Sequence, residues 1–215
     1  MKQLTGLYVI TDEEISPGKT HAEIAAAALE GGARIIQLRD KTASDRKFYE
    51  CALEIRRFTR DAGALFFIND RVHIAAAVKA DGINIGQNDL PIAAAREILG
   101  RALIIGVSAD TIEQAMQAEK DGADYVGFGP VFHTSTKLDA GPVSGLDILE
   151  QICKKVAIPI VAIGGIGIGN IASVSLTNTA CAAVVSAIVC AEDMVSATDD
   201  LIREFNSNRE SRQVS

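Results

Sequence analysis

Short runs rich in β-branched residues alternate along this chain with Ala-rich amphipathic runs, and that order constrains the fold more than any other feature. Regular alternation builds repeated strand-then-helix units, not segregated regions of strand and helix. The apolar runs are Leu7 to Ile10, Ile35 to Leu38, Leu65 to Ile68, Gly82 to Ile85, Leu103 to Val107, Tyr125 to Phe128, Pro159 to Ile163 and Ala183 to Ser186. Helical patterns occupy His21 to Glu30, Ser44 to Asp61, Val72 to Val78, Ile92 to Leu99, Ile112 to Lys120, Leu146 to Lys155, Asn170 to Leu176 and Glu192 to Phe205. Gly31, Gly63, Gly100 and Gly122 follow the last apolar turn of four of them, where helices commonly stop. Strands this continuously apolar are buried on both faces, which calls for a parallel sheet. Eight units spaced by about 27 residues favour a single (β/α)8 TIM barrel of the α/β class over an open doubly wound sheet, which usually has roughly five or six strands. No Pro-, Gly- or Ser-rich linker breaks the series, so one domain is expected over residues 1–205, with a polar tail at 206–215 expected to fray.

Composition narrows the function. The 215 residues are 48% hydrophobic and 23% charged with a net charge of −7, which describes an acidic globular chain with a large core. No basic run is interleaved with aromatics, so nucleic acid is not an expected partner. The longest strongly apolar stretch, Cys181 to Ala191, is about half the roughly 20 residues a membrane span needs. Residues 1–6 carry no apolar signal region, and a cytoplasmic location is expected. The four cysteines form no Cys-x-x-Cys pair and read as reduced, mostly buried thiols.

A barrel of this kind carries its chemistry at the carboxyl ends of its strands. Those ends are rich in polar residues: Asp12 after the first strand, Gln37 within the second, then Arg39 and Lys41. Asn69 and Asp70 follow the third, Gln87 and Asp89 the fourth, and Ser108 ends the fifth. Thr134, Thr136 and Lys137 follow the sixth, Gly164 and Gly165 the seventh, and Ser186 ends the eighth. Gly164 and Gly165 allow close approach of backbone N–H groups to a phosphate, and Ser186 with its neighbouring amides could complete that nest; a plain tight turn is the alternative. Asp70 and Asp89, after adjacent strands, could converge on one magnesium ion, but both also stand where helix caps are common. Arg39, Lys41 and Lys137 on overhanging loops could clamp phosphoryl oxygens, although singly each reads as a solvated charge. His21 and His73 lie near helix starts, and only His133 sits in a candidate site loop.

Taken together, the strand ends resemble the thiamine-phosphate synthase (thiamine-phosphate pyrophosphorylase) family. The resemblance is carried, in the family's order, by Leu7 to Asp12, Gln37 to Lys41, Phe67 to Arg71, Ala80 to Asp89, Gly106 to Ser108, Gly122 to Phe132, Thr134 to Lys137, Ile163 to Ile166 and Val185 to Ile188. It implies a transferase that joins a pyrimidine methyl diphosphate to a thiazole phosphate, carboxylated or not, and releases pyrophosphate. It further implies Gln37, Arg39, Lys41, Asn69, Ser108 and Lys137 as pyrimidine diphosphate ligands, with Arg39, Lys41, Ser108 and Lys137 nearest the chemistry. Asp70 and Asp89 fall at the family's Mg2+ ligands, and Thr134, Thr136, Gly164, Gly165, Val185 and Ser186 at the thiazole phosphate site.

The sequence departs from the family pattern at Asp40, Asn88 and His133, and most of all at Thr177 to Ala183, where glycines usual before the eighth strand are missing. Their loss is expected to shift the Val185 and Ser186 backbone. Two other readings share the barrel: a thiazole tautomerase-like isomerase, and a phosphate-ligand-binding barrel without catalysis. A sugar-phosphate isomerase lacks an obvious His or Glu at a strand end. The oligomeric state, a homo-oligomer included, is left open.

Overall fold

A computed structural model describes residues 4–16, 18–136 and 141–213. Its strands are β1 (Gly6–Thr11), β2 (Ile35–Leu38), β3 (Leu65–Asn69), β4 (Gly82–Ile85), β5 (Ile104–Ala109), β6 (Tyr125–Phe128), β7 (Ile160–Ile163) and β8 (Cys181–Val184). All pair in parallel with their sequence neighbours, and β8 returns to β1 through Gly6 to Cys181 and Val9 to Val184. The result is the closed (β/α)8 barrel that the alternation predicts. The helices are α1 (His21–Glu30), α2 (Asp45–Asp61), α3 (Val72–Ala77), α4 (Ile92–Leu99), α5 (Ile112–Lys120), α6 (Gly145–Lys155), α7 (Ile171–Ser175), α8 (Ser186–Val189) and α9 (Met194–Gln213). Thr20 and Glu23 form a reciprocal capping box at α1, while Ser44 and Thr111 cap α2 and α5.

The structure departs most from the sequence reading around β8 and at the last helix. The eighth strand begins at Cys181, two residues earlier than expected, and Ser186 does not end it but opens the short helix α8. Ser186 is the single polar residue between Cys181 and Ala191, and it reads as readily as a strand end as a helix start. Expected to end at Phe205, the last helix continues to Gln213. Arg209 anchors that continuation: its guanidinium stands 5.0 Å from the Phe205 ring and donates to the Ala180 carbonyl at 3.1 Å.

Side-chain alternation with period two sorts each strand into an outer and an inner face. Val9, Ile36, Phe66, Ile83, Ile105 and Val126 point outward into the shell of helices, while Tyr8, Ile35, Leu65, Phe67, Tyr125, Val161 and Cys181 fill the lumen. The lumen is tight. A Cβ on Gly82 would lie 2.1 Å from the Phe67 ring, and one on Gly106 would lie 1.9 Å from Tyr125. These two glycines therefore make room for the aromatic side chains of the preceding and following strands. At the amino ends a repeated device ties strands to helices: Asp81 accepts from Phe66 N and Arg56, and Asp124 accepts from Ile105 N and Arg96.

Among the described residues no helix is long and apolar enough to cross a membrane. The four cysteines are free thiols, but only Cys181 is buried; Cys51 and Cys153 are half-buried and Cys190 is exposed. Burial pushes the Cys51 and Cys181 thiols up to about 12, well away from reactive thiolate.

Gly106→Ala is expected to destabilise the protein by about 1–3 kcal/mol through overpacking against Tyr125. Equilibrium urea denaturation measures this, and an unchanged midpoint would show that the ring can retreat.

Candidate active site

Inward positions change character along the barrel. Near the amino end they are aromatic or aliphatic; one or two residues further on they are Gln37, Asn69, Asn84 and Ser108. Above them the βα loops enclose a cavity of about 510 Å³. Gln37, Arg39, Lys41, Asn69, Asp70, Asp89, Ser108, Thr134, Thr136, Gly164, Gly165, Val185 and Ser186 all line it, so the structure brings together every expected site residue that it describes. Lys137 lies outside the described residues.

The two aspartates do not cap helices. Neither α3 nor α4 receives a side-chain cap. Instead the Asp89 carboxylate accepts from Gly86 N at 2.7 Å, which folds the β4–α4 loop back over the mouth. Asp70 takes a left-handed backbone with φ 61°, a conformation tolerated best by Gly, Asn and Asp. Its carboxyl is pushed up to about 6, first by burial and then by hydrogen bonding and charge repulsion from Asp89; Lys41, 3.5 Å away, pulls the other way. A carboxyl that resists ionising beside a second carboxylate is a place where a proton or a hard cation would be favourable. Their all-oxygen donor set fits magnesium, which binds through one or two carboxylates and completes its shell with water and phosphate oxygens. Among the described residues no cluster of three or more His, Cys, Asp or Glu offers a closed cage.

The cations are held by their neighbours. Arg39 Nη1 donates to Asp12 at 3.4 Å, and Asp12 is itself fixed by the Glu14 and Ile15 amides. The Asp40 to Ala43 turn that carries Lys41 is clamped from below by Arg71, which donates to the Asp40 and Ala43 carbonyls and stacks 4.4 Å from the Phe48 ring. Asp40 closes the same turn by accepting from Thr42 and Ala43 N.

Glycine is required after β7 for steric reasons as well as for its backbone. Gly164 and Gly165 have φ of 101° and 64°, and a Cβ would meet Pro130 at 2.6 Å and His133 O at 2.3 Å. The β6–α6 loop thus sits directly on them, with Val131 N and Phe132 N donating to Ile163 O and Gly164 O. Asn170 staples the far side, accepting from Gly167 N and donating to Gly165 O. The missing glycines before β8 are compensated by Asn178, whose φ is 66°, and by Thr177 and Thr179, whose hydroxyls donate to Val174 O. Val185 and Ser186 consequently still face the cavity.

Sequence reasoning missed the floor. By sequence Tyr8 and Tyr125 are core members of apolar strands, yet their hydroxyls meet at 3.2 Å beneath the cavity, flanked by Gln37 and Asn84. An available signal was Tyr in place of Phe or Leu within an otherwise apolar strand, since a buried hydroxyl needs a partner. His21 and His73 serve structure, bonding Thr11 and Asp45, and His133 is exposed outside the cavity.

Fold and site together define a (β/α)8-barrel enzyme whose mouth combines paired carboxylates, cations and a glycine-edged turn. Comparison with known proteins then identifies it more closely. The sequence profile of the thiamine monophosphate synthase family matches residues 7–188. Thiamine-phosphate synthase of Methanocella arvoryzae is 49% identical over 195 residues, which is 91% of this chain and 92% of that protein. The Methanospirillum hungatei thiamine-phosphate synthase is 50% identical over 193 residues, covering 90% and 94%. The solved thiamine phosphate pyrophosphorylase of Pyrococcus furiosus superposes with a TM-score of 0.87 at 44% identity, over 95% of this chain and 97% of that one. The chain belongs to the thiamine monophosphate synthase family and is a transferase.

In metal-free protein, Asp70→Asn is expected to raise stability at pH 7 by about 1–3 kcal/mol, because a carboxyl raised from 3.8 to about 6 is costly to ionise in the fold. The folded pKa lies above the unfolded one, so the gap is absent below pH 4, opens between pH 4 and 6 and is constant above. Denaturation midpoints of both proteins from pH 4 to 8 check this; a gap that narrows with rising pH contradicts it.

Proposed function

We propose that this chain is a thiamine-phosphate synthase: it joins 4-amino-2-methyl-5-(diphosphomethyl)pyrimidine to a thiazole phosphate and releases pyrophosphate. The observation that carries the reading is the arrangement of one cavity with a carboxylate pair and cations after β2 to β4 and a glycine-edged turn after β7. Two anionic groups need two such ends, and a single sugar phosphate needs only one. The tautomerase-like alternative leaves the Asp70, Asp89, Arg39 and Lys41 side without a substrate.

In this reading Arg39 and Lys41, with Lys137, donate to the diphosphate oxygens, while Gln37, Asn69 and Ser108 orient the aminopyrimidine. Thr134, Thr136, Gly164, Gly165, Val185 and Ser186 hold the thiazole phosphate through hydroxyl and backbone N–H groups. Asp70 and Asp89 would hold Mg2+, which would supply positive charge to offset that on the departing pyrophosphate. The methylene carbon–oxygen bond breaks with its electron pair leaving on pyrophosphate, and the electron-rich aminopyrimidine spreads the positive charge. The thiazole nitrogen lone pair then forms the new carbon–nitrogen bond. No protein nucleophile is involved. The residues contribute position, worth several kcal/mol when both reactants are held in contact, and a lumen that keeps competing water away. Free thiols without disulfides suit the proposed cytoplasmic setting.

Purified protein incubated with both phosphorylated substrates and magnesium is expected to yield thiamine phosphate and pyrophosphate by mass spectrometry. Folded protein that forms neither product refutes the proposal. Asp70→Asn and Asp89→Asn should each lower kcat/KM on the order of 10³-fold, the scale of lost metal stabilisation. Ser186→Ala should instead raise KM for the thiazole phosphate about 10-fold, with KM for the pyrimidine diphosphate unchanged.

A further inference from the structure

Beneath the cavity a single file of hydrogen bonds crosses the barrel from β2 to β5. Gln37 Nε2 donates to Tyr8 Oη at 2.8 Å, the Tyr8 and Tyr125 hydroxyls meet at 3.2 Å, and Tyr125 Oη donates to Asn84 Oδ1 at 3.1 Å. Asn84 Nδ2 then donates to Ser108 Oγ at 3.0 Å. Each tyrosine has one proton. Tyr125 spends its proton on Asn84, so Tyr8 must be the donor between the two rings, and every bond in the file points the same way.

That direction fixes what the two ends offer. Gln37 commits its amide nitrogen to the floor, which turns its carbonyl oxygen toward the cavity as an acceptor. Ser108 accepts from Asn84, which leaves its hydroxyl proton for the cavity as a donor. Among the described residues nothing else is bonded to Gln37 Oε1 or receives that proton. The two tyrosines are 1% exposed, so water cannot supply a substitute partner for either hydroxyl. Reversing one end therefore requires all five side chains to turn over together.

We propose that Tyr8, Tyr125 and Asn84 are positioning residues that hold Gln37 as acceptor and Ser108 as donor, and so make the site select an amino-substituted pyrimidine over its oxo counterpart. This rests on the synthase reading for the pyrimidine itself. An aminopyrimidine presents an N–H donor and a ring-nitrogen acceptor, the complement of the two ends. The oxo form carries a carbonyl and a ring N–H, so the same pair of contacts becomes acceptor facing acceptor and donor facing donor. Sites built to hydrogen-bond a specific edge reject mismatched analogues strongly, because the buried partners are left unpaired.

The test compares Tyr8→Phe, Tyr125→Phe and the unaltered protein, each ring being kept so that the aromatic packing with Phe67 survives. Calorimetry with 4-amino-2-methyl-5-(diphosphomethyl)pyrimidine and with its 4-oxo analogue, in the presence of magnesium, gives the preference for the amino form. The unaltered protein is expected to prefer it by about 100-fold or more, and each variant to lose at least about 10-fold of that preference. Affinity for the thiazole phosphate stays within about 2-fold, a separation that general loosening of the barrel would not produce. Should Tyr125→Phe fail to fold, Tyr8→Phe interrupts the same file at its other ring and decides the matter. Equal binding of both pyrimidines by the unaltered protein, or an undiminished preference in a folded variant, overturns the proposal. Selective binding of the aminopyrimidine without product formation overturns the synthase reading and supports the relay.

Discussion

Closure of eight parallel strands forces their inward side chains into one shared lumen, and everything at the mouth rests on how that lumen is filled. Tyr8, Phe67 and Tyr125 fill it as an aromatic trio with ring centroids 5.4 to 6.3 Å apart, and they fit because Gly82 and Gly106 have no Cβ. Two of the three rings carry hydroxyls that cannot reach bulk water. A buried hydroxyl without a partner costs about 1–3 kcal/mol, so the hydroxyls bond to each other and to the polar residues one step higher. Burial raises both phenols far above the ordinary range, keeping each a neutral donor at any physiological pH. Packing below and polarity above are consequently one structure.

The same economy governs charge at the mouth. A net charge of −7 is a poor global predictor for a site proposed to take anions, because local placement decides the sign. Asp12 is consumed in holding Arg39, and Asp40 in closing the turn that presents Lys41. Asp70 and Asp89 face one another, and their proximity helps to raise the Asp70 carboxyl; in the proposed reading a divalent cation relieves that repulsion. Residues proposed to bind the cation would thus weaken the empty fold, a familiar trade between function and stability.

Much of this could be read from the sequence because period-two alternation is strict. Once the apolar runs were phased, Gln37, Asn69 and Ser108 had to fall on the inner face near strand ends, and the following loops had to crown it. What could not be read depends on distance across the barrel. The Tyr8 and Tyr125 hydroxyls are 117 residues apart in sequence, and nothing local distinguishes them from other core aromatics. The choice between helix cap and cation site at Asp70 and Asp89 was likewise undetermined, since both uses place a carboxylate just ahead of a helix. The return of Asp89 onto Gly86 N, with no side-chain cap on α3 or α4, removes the cap from that choice. The start of β8 and the helix α8 were obscured for a different reason: Ala and Cys have weak preferences, and Ser186, the single polar residue at the junction, reads equally as a strand end.

The turn before β8 shows how a chain can dispense with glycine. The left-handed position is given to Asn178, the non-glycine residue type that tolerates it at least cost. Thr177 and Thr179 then tie the turn to the end of α7 through Val174 O, and Arg209 reaches from α9 to the Ala180 carbonyl, which also accepts from Gly6 N. Ala180 N in turn donates to Ile160 O, so the entry to β8 is held by β1, β7 and α9 together. A glycine turn would leave that position set by backbone preference alone. Here the turn's own Thr177 and Thr179 and Arg209 of α9 fix where β8 begins, and with only four residues in the strand this also fixes where Val185 and Ser186 emerge at the mouth.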